Sequence, residues 1–336
     1  MLGLSTGLVW DSGIKSLEEP PQTNLVGHWD FTDVTQLSGD LTGDFGTYIS
    51  GTDPIGRCKN KAPLVGGLGD HRLGQWVRAI SSSTRPTWVT GGANGNAYAN
   101  FDNSSNTQAL VCRSTDAANW GAVGTNQLST TRLRADNISI FIVGEPLDDD
   151  TDGTVENAFS YFGYYDNPSG WNDSAWVHFT FERDDDDDMH AKWSLGSGAV
   201  VNPNTVDATN VNNHWNSGGV SVINVQTSTD VGGSYVYTNN LPDAGQSVFH
   251  PGSGVFAQTT WADLDPVDYD DSLMASIGIG GSVDASGAIN SNSFEGKIYE
   301  ILVYSASINF TPPLSESDRA ALTYYLGYKY NATINA

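Results

Sequence analysis

The chain has 336 residues, 39 of them acidic and 15 basic, for a formal net charge of −24. So acidic a surface repels nucleic acid and anionic membranes, and neither is expected as a direct partner; no apolar run approaches the roughly 20 residues that a membrane-spanning helix needs. Thirty-seven glycines and ten tryptophans among many Asn, Ser and Thr describe short strands joined by frequent turns, an all-β chain whose like charges are screened in salty water.

Residues 1–24 read as an N-terminal arm and residues 25–336 as one domain with long loop insertions. The opening MLGLSTGLVWDSGIKSLEEPP has no Lys or Arg ahead of its apolar stretch, which Gly3, Ser5, Thr6 and Gly7 interrupt, so a secretory signal is not expected. Gly3-Leu4-Ser5-Thr6-Gly7 has the spacing G-x-S-x-G but no room for the strand that must precede a nucleophile elbow. The arm lacks alternation and ends in Glu18-Glu19-Pro20-Pro21, a stiff extended stop. Its Leu2, Leu4, Leu8, Val9 and Trp10 are expected to be buried on another polypeptide.

Leu25 to Phe31 is the first clear strand, with Trp29 and Phe31 on one face as a period of two demands. Basic residues then concentrate. Arg57, Lys59, Lys61, Arg72, Arg78 and Arg85 are six of the 15, opposed in that stretch only by Asp70. A basic patch on an acidic body suits docking on another acidic subunit, through Arg57, Lys59, Lys61, Arg72 and Arg78; pairing with the chain's own acidic loops is the competing reading. Cys58 and Cys112 have no zinc spacing and read as buried thiols, with a disulfide as the alternative.

Ser139 to Val143 is apolar on both faces and reads as a central strand covered on both sides. Trp176 to Phe181 and His190 to Leu195 flank an acidic turn as a hairpin, and Val220 to Val225 with Ser234 to Tyr237 make a second. Ile298 to Tyr304 is the last strong strand. A helix follows: Ser315 can cap it, Asp318 stands three residues on, Leu314 is placed as a hydrophobic staple, and Pro312-Pro313 stop what precedes. Its stripe of Leu322, Tyr325 and Leu326 should lie on the strands.

Arg85 to Trp88 with Gly91 to Asp102, Ile277 to Gly280 with Phe294 to Tyr304, and Leu314 to Arg319 with Tyr325 to Tyr330 together resemble the LamG-like jelly-roll modules of phage and bacterial surface proteins, within the concanavalin A-like group. Arg85-Pro86-Thr87-Trp88 with Gly91 through Asp102 is similar to that family's turn leading into a core strand. Ile277-Gly278-Ile279-Gly280 with Phe294 through Tyr304 is similar to its returning strand. Leu314 through Arg319 with Tyr325 through Tyr330 is similar to its terminal helix. The resemblance spans about residues 25–331. It implies an all-β, antiparallel two-sheet jelly-roll sandwich with first and last strands adjacent, a short C-terminal helix and an N-terminal arm. It implies no activity, since the fold hosts lectins, glucanases, adhesins and structural proteins. The length beyond a minimal module is expected in loops around residues 40–75, 145–175 and 200–270.

Glycoside hydrolysis on such a fold needs two carboxylates about 5 Å apart on one strand face. The nearest pattern, Glu182-Arg183-Asp184-Asp185-Asp186, runs into five consecutive aspartates, where one proton-poised acid beside one ionised nucleophile is not maintained. No catalytic residue is assigned, and the chain is expected not to be an enzyme. Glu300, in an otherwise apolar strand, reads as a buried carboxylate paired with Arg or backbone. No cofactor is required. Calcium is the one candidate, because Asp148, Asp150 and Asp152 ahead of Gly153 supply hard oxygen ligands at D-x-D-x-D-G spacing. Phe159 stands where an EF-hand has its bidentate Glu, and a solvated loop is the competing reading. Asp263, Asp265, Asp268, Asp270 and Asp271 form another acidic cluster. His28, His71, His178, His190, His214 and His250 show no metal spacing, although His178 and His190 lie on the two hairpin arms as prospective neighbours. Trp120, Trp171, Trp215 and Trp261 sit in Gly/Asn/Asp-rich surroundings where an aromatic platform for carbohydrate could form, or where each could plug its own loop against the core.

The function expected from these residues is structural: a capsid decoration or a tail or fibre component on the exterior of a tailed, marine-type phage, held by its arm. Its partners would be copies of itself or other virion proteins. The alternative is a secreted or surface glycan-binding adhesin using the loop tryptophans on a cell-surface glycan. A glycoside hydrolase stands third.

Overall fold

The computed structural model describes residues 17–42, 45, 50–63, 73–102, 107–113, 137–147, 156–167, 171–183, 189–197, 200–206, 215, 218–228, 233–242, 275–283, 289–305 and 313–335. In chain order the strands are β1 (Leu25–Asp30), β2 (Leu37–Ser38), β3 (Arg57–Lys59), β4 (Trp76–Ala79), β5 (Thr87–Val89) and β6 (Tyr98–Phe101). Then come β7 (Leu110–Arg113), β8 (Asn137–Pro146), β9 (Glu156–Asn167), β10 (Trp171–Arg183), β11 (Met189–Ser197) and β12 (Val200–Val206). The last are β13 (Ser221–Ser228), β14 (Gly233–Thr238), β15 (Leu241–Pro242), β16 (Ala275–Ile279), β17 (Gly281–Val283), β18 (Ile289–Ser293) and β19 (Gly296–Ser305), followed by the helix α1 (Glu316–Tyr330).

Two sheets result. The first has eight strands in the order β15-β14-β13-β8-β19-β6-β5, with β1 also on β19. The second has eleven, in the order β12-β11-β10-β9-β16-β7-β4-β3-β2, with the β17–β18 hairpin attached beside β9. The expected adjacency of first and last strands holds: β1 runs antiparallel to β19, with Trp29 opposite Ile301 and Asp30 opposite Glu300. The two expected hairpins are β10–β11 and β13–β14. Pro203 in β12 and Pro242 in β15 both lie on edge strands, where a missing N–H breaks no ladder and blunts the edge.

Alternation decides what each face touches. In β8, Ile138, Ile140 and Ile142 point into the inter-sheet core with Trp29, Phe31, Phe159, Phe179, Phe181, Ile277 and Ile301. Phe141 and Val143 point the other way, into a second apolar layer with Leu302, Tyr304, Leu322, Leu326 and Tyr330. That second layer is why β8 is apolar on both faces: α1 covers the back of the first sheet. The Ser315 side chain accepts from the Asp318 N–H at 3.1 Å, and Leu314 is buried beside the first turn. Arg319 fastens the flank, with Nη2 donating to Asn240 Oδ1 at 3.0 Å and its guanidinium 3.9 Å above the Tyr237 ring.

The Arg85–Trp88 segment is a set of stitches. Arg85 Nη1 donates to the Gly39 carbonyl at 2.8 Å, the Pro86 carbonyl accepts from Ile55 N–H at 2.7 Å, and Trp88 Nε1 donates to the Phe31 carbonyl at 2.8 Å. Gly280 turns the chain from β16 to β17 at φ +75°, and a Cβ there would strike the Phe101 ring, so the position needs glycine twice over.

The structure corrects the loop assignment. Residues 156–167 form β9, and residues 200–206 form β12, within stretches expected to be loop. Phe159 and Tyr161 bury themselves at alternate positions while Asn157, Ser160 and Gly163 around them dilute the hydrophobic signal. The register also separates the two hairpin histidines, since His178 faces Ser194 and His190 faces Glu182. Four residues of strand, about 13 Å, lie between those positions.

Leu326 is wholly buried between α1 and the sheet. Leu326→Ala should lower unfolding free energy by about 2–5 kcal/mol in urea titration, with an unchanged denaturant slope. Cys58 and Cys112 are buried free thiols, as expected, and burial pushes the Cys58 thiol well up from its ordinary value. A thiol reagent should leave both unmodified in the native protein and label both in urea.

Candidate functional site

Three features of the described residues bear chemistry. The first lies under α1. His28 and Asp30 flank inward-pointing Trp29 on β1, so both side chains leave on the outer face of the sheet, beside Glu300 of β19. Every carboxylate oxygen there has a donor. Glu300 Oε1 accepts from His28 Nε2 at 2.6 Å, and Oε2 accepts from Lys329 Nζ at 2.8 Å and Tyr330 OH at 2.7 Å. Asp30 Oδ1 accepts from the Thr32 N–H at 3.0 Å and hydroxyl at 2.6 Å, while Oδ2 accepts from Lys61 Nζ at 3.0 Å. Lys329 Nζ also lies 3.5 Å from Asp30 Oδ2, and Lys61 reaches Asp33 at 3.3 Å.

His28, Asp30 and Glu300 are close enough to share a cation. The two ammonium groups already neutralise that position, however, so the donor set fits an internal ion-pair network better than a metal. Burial works to raise the Glu300 pKa, but the hydrogen bond and charge of His28 and the charge of Lys329 overcome it and hold the carboxyl at about 2. Burial works to lower Lys329, and the charges of Glu300 and Asp30 raise it instead. Glu300 is thus a buried, paired carboxylate as expected, with His, Lys and Tyr in place of Arg.

The second feature is the basic stretch, which the fold divides. Arg57, Lys59 and Arg78 stay together on β3 and β4, with Arg57 opposite Arg78 and Lys59 opposite Trp76. The Arg57 guanidinium lies 4.5 Å from the Phe45 ring centre and 5.7 Å from that of Trp76, and of the three only Lys59 is exposed. Lys61 turns away into the network under α1, and Arg85 bonds backbone carbonyls. Trp215 is likewise withdrawn from ligand. It is wholly buried, stacked on Phe294 at 5.0 Å between ring centres, with Nε1 donating to the Gly144 carbonyl at 3.4 Å. Leu2, Leu4, Leu8, Val9, Trp10, Arg72, Trp120, Asp148, Asp150, Asp152 and Trp261, and the Trp171 side chain, lie outside the described residues. Phe159 at the EF-hand twelfth position is a core residue of β9.

The third feature was not anticipated. A pocket of about 350 Å³ opens at the C-terminal end of α1, lined by Asn94, Tyr324, Gly327, Tyr328, Asn331, Ala332 and Ile334. Its walls are built by three elements. Asn331 caps the helix in the left-handed conformation at φ 54°, its N–H bonding the Gly327 and Tyr328 carbonyls. The turn at residues 93–95 brings up Asn94, also left-handed at φ 54°, whose Nδ2 donates to the Lys329 carbonyl at 3.1 Å. The tail folds back because Ala332 N–H bonds the Gly327 carbonyl at 2.9 Å and Tyr324 OH donates to the Asn335 carbonyl at 3.0 Å. Gly327 leaves the space that Ile334 fills. Tyr328 stands 75% exposed at the rim. The signal available beforehand was an aromatic off the apolar stripe of a capped helix, with Asn at its end.

No family model matches the chain, and no curated protein matches it. Among solved structures, it is similar to the CBM40 of Ruminococcus gnavus IT-sialidase bound to alpha2,6 sialyllactose, at 13% identity and TM-score 0.33 over 56% of this chain and 83% of that one. It is similar to the full-length tailspike protein 2 from Escherichia coli O157:H7 bacteriophage CAB120, at 13% identity and TM-score 0.39 over 77% of this chain and 27% of that one. It is also similar to leech intramolecular trans-sialidase, at 13% identity and TM-score 0.31, covering 52% of this chain and only 22% of the enzyme. At such scores these likenesses bear on neither ligand nor activity.

The network under α1 sets an acid limit. A carboxyl whose folded pKa is about 2, against an ordinary 4.5, stabilises the fold fully above about pH 4.5 and loses that contribution as pH falls toward 2. The unfolding free energy of the native protein should therefore fall through this window by about 3 kcal/mol more than that of Glu300→Gln. Urea midpoints at pH 7, 4 and 2.5 measure the difference. At pH 7 the variant should be the less stable protein, because Lys329 loses its buried counter-charge.

Proposed function

We propose that this chain is a non-catalytic, glycan-binding β-sandwich protein of the concanavalin A-like, LamG-like type, displayed on an exterior surface. The observation that carries the reading is the pocket at the end of α1, where an exposed tyrosine ring stands beside two carboxamides. A sugar presents C–H groups to an aromatic face and paired hydroxyls to amide donors and acceptors, and this pocket supplies both. Its volume of about 350 Å³ lies at the small end of ligand sites, which span about 300–1,000 Å³.

The non-catalytic part of the proposal rests on the buried acids. Glycoside hydrolysis requires one carboxyl that keeps its proton near neutrality beside one that does not. Glu300 is ionised down to about pH 2, and Asp30 beside it is bonded to two hydroxyl- or amide-bearing groups of Thr32 and to Lys61. Both serve the fold.

The exterior surface we favour is that of a tailed-phage particle, with residues 1–16 as the anchor. The attachment point supports this. Leu17 packs against the layer under α1, and Asn24 Nδ2 donates to the Pro313 carbonyl at 3.0 Å, and we take this stretch as the point from which the anchor would leave the sandwich.

A glycan array probed with the full chain should give reproducible ligands, and Tyr328→Ala should weaken them by at least about tenfold without moving the melting temperature. An array that stays blank would overturn the glycan reading. A chain beginning at Leu17 should melt as the full chain does and fail to assemble by light scattering; normal assembly would remove the anchor.

A further inference from the structure

We infer that the pocket at the end of α1 accepts an uncharged sugar residue and discriminates against sialic and uronic acids. This inference rests on the glycan-binding reading and narrows it.

None of the seven lining residues is charged. The nearest cation in sequence, Lys329, sits between Tyr328 and Asn331, yet its ammonium is turned beneath the helix, 2.8 Å from Glu300 and 3.5 Å from Asp30. The network that stabilises the fold therefore turns this ammonium away from an acidic sugar that would need a counter-charge. Recognition of a carboxylate in a partly enclosed site needs such a charge or a fork of N–H donors, because otherwise its desolvation goes uncompensated.

What the pocket offers instead suits hydroxyls. Asn94 uses its Nδ2 on the Lys329 carbonyl, which leaves its Oδ1 as an acceptor. The Asn331 carboxamide makes no hydrogen bond among the described residues and carries both a donor and an acceptor. A carboxylate brings acceptors only and would meet the Asn94 oxygen as a like group, whereas a hydroxyl donates to one amide and accepts from the other. The surrounding body, at a formal net charge of −24, adds long-range repulsion to any anionic glycan.

The test uses the full chain and saturation-transfer NMR with methyl β-galactoside, methyl α-glucoside and methyl β-N-acetylglucosaminide, against 3′-sialyllactose and methyl glucuronide. At least one neutral glycoside should bind, with Tyr328→Ala and Asn331→Ala each weakening it by at least about tenfold and Tyr328→Phe, which keeps the ring, retaining most of it. The acidic probes should bind at least about tenfold more weakly than the neutral one. Acidic probes that bind equally well and lose binding in Tyr328→Ala would overturn the discrimination while glycan binding stands. Neutral binding that survives Tyr328→Ala would show that the pocket is not the site. Failure of all five probes would sink both the inference and the reading beneath it. Melting curves of each variant verify folding, and Tyr328, at 75% exposure, contributes little to the core.

Discussion

A carboxylate buried in the middle of an apolar strand has to be compensated, and the compensation of Glu300 organises one side of this molecule. Its partners come from β1, through His28, and from the last turn of α1, through Lys329 and Tyr330. Asp30 and Lys61 extend the network to the segment that follows β3, where the Asn60 side chain also bonds the His28 backbone. Four stretches far apart in sequence therefore meet at one charge. A hydrophobic contact tolerates sliding, whereas an ion pair with every oxygen occupied does not, so the network sets the register of α1 on the sheet.

That register has consequences at both ends of the helix. On its inner side, Leu322, Leu326 and Tyr330 complete the apolar layer over Phe141, Val143 and Leu302, which makes β8 a strand covered on both faces. Beyond its end, the Asn331 cap, the turn at Asn94 and the returning tail enclose the pocket. Asn94 and Asn96 both donate to the Lys329 carbonyl, the same residue whose ammonium holds Glu300, so the pocket wall and the buried charge share one anchor.

The basic stretch shows how an acidic chain uses scarce cations. Arg57 stacks on Phe45 and Trp76, Lys61 and Lys329 neutralise buried acids, Lys297 pairs with Glu145 at 2.8 Å, and Arg319 stacks on Tyr237. Cations occupied in this way hold the fold together, and the binding chemistry on offer shifts to neutral aromatic and amide groups.

Local pattern determined much of this protein. Period-two alternation marked β1, turn-flanked hairpin patterns marked β10, β11, β13 and β14, apolar runs marked β8 and β19, the Ser315 cap marked α1, and the order of three short motifs implied the sandwich with adjacent first and last strands. Burial of Cys58, Cys112 and Glu300 was also legible, the cysteines because they lack ligand spacing and Glu300 because its strand is otherwise apolar. Tertiary structure alone decided the rest. β9 escaped because polar and glycine residues among its apolar positions weaken a local signal that packing then overrides, and β12 because Asn202, Pro203 and Asn204 interrupt its apolar pattern. Six basic residues close in sequence looked like one patch, but the chain leaves β3 after Lys59, and Lys61 pairs with Asp30 and Asp33 while Arg57 stacks on Phe45 and Trp76. The loop tryptophan Trp215 became core, and the pocket arose from Asn94 and Asn331, 237 positions apart. No periodicity connects two such residues; the left-handed Asn331 cap that ends α1 and the bonds of Asn94 and Asn96 to the Lys329 carbonyl bring them to one wall.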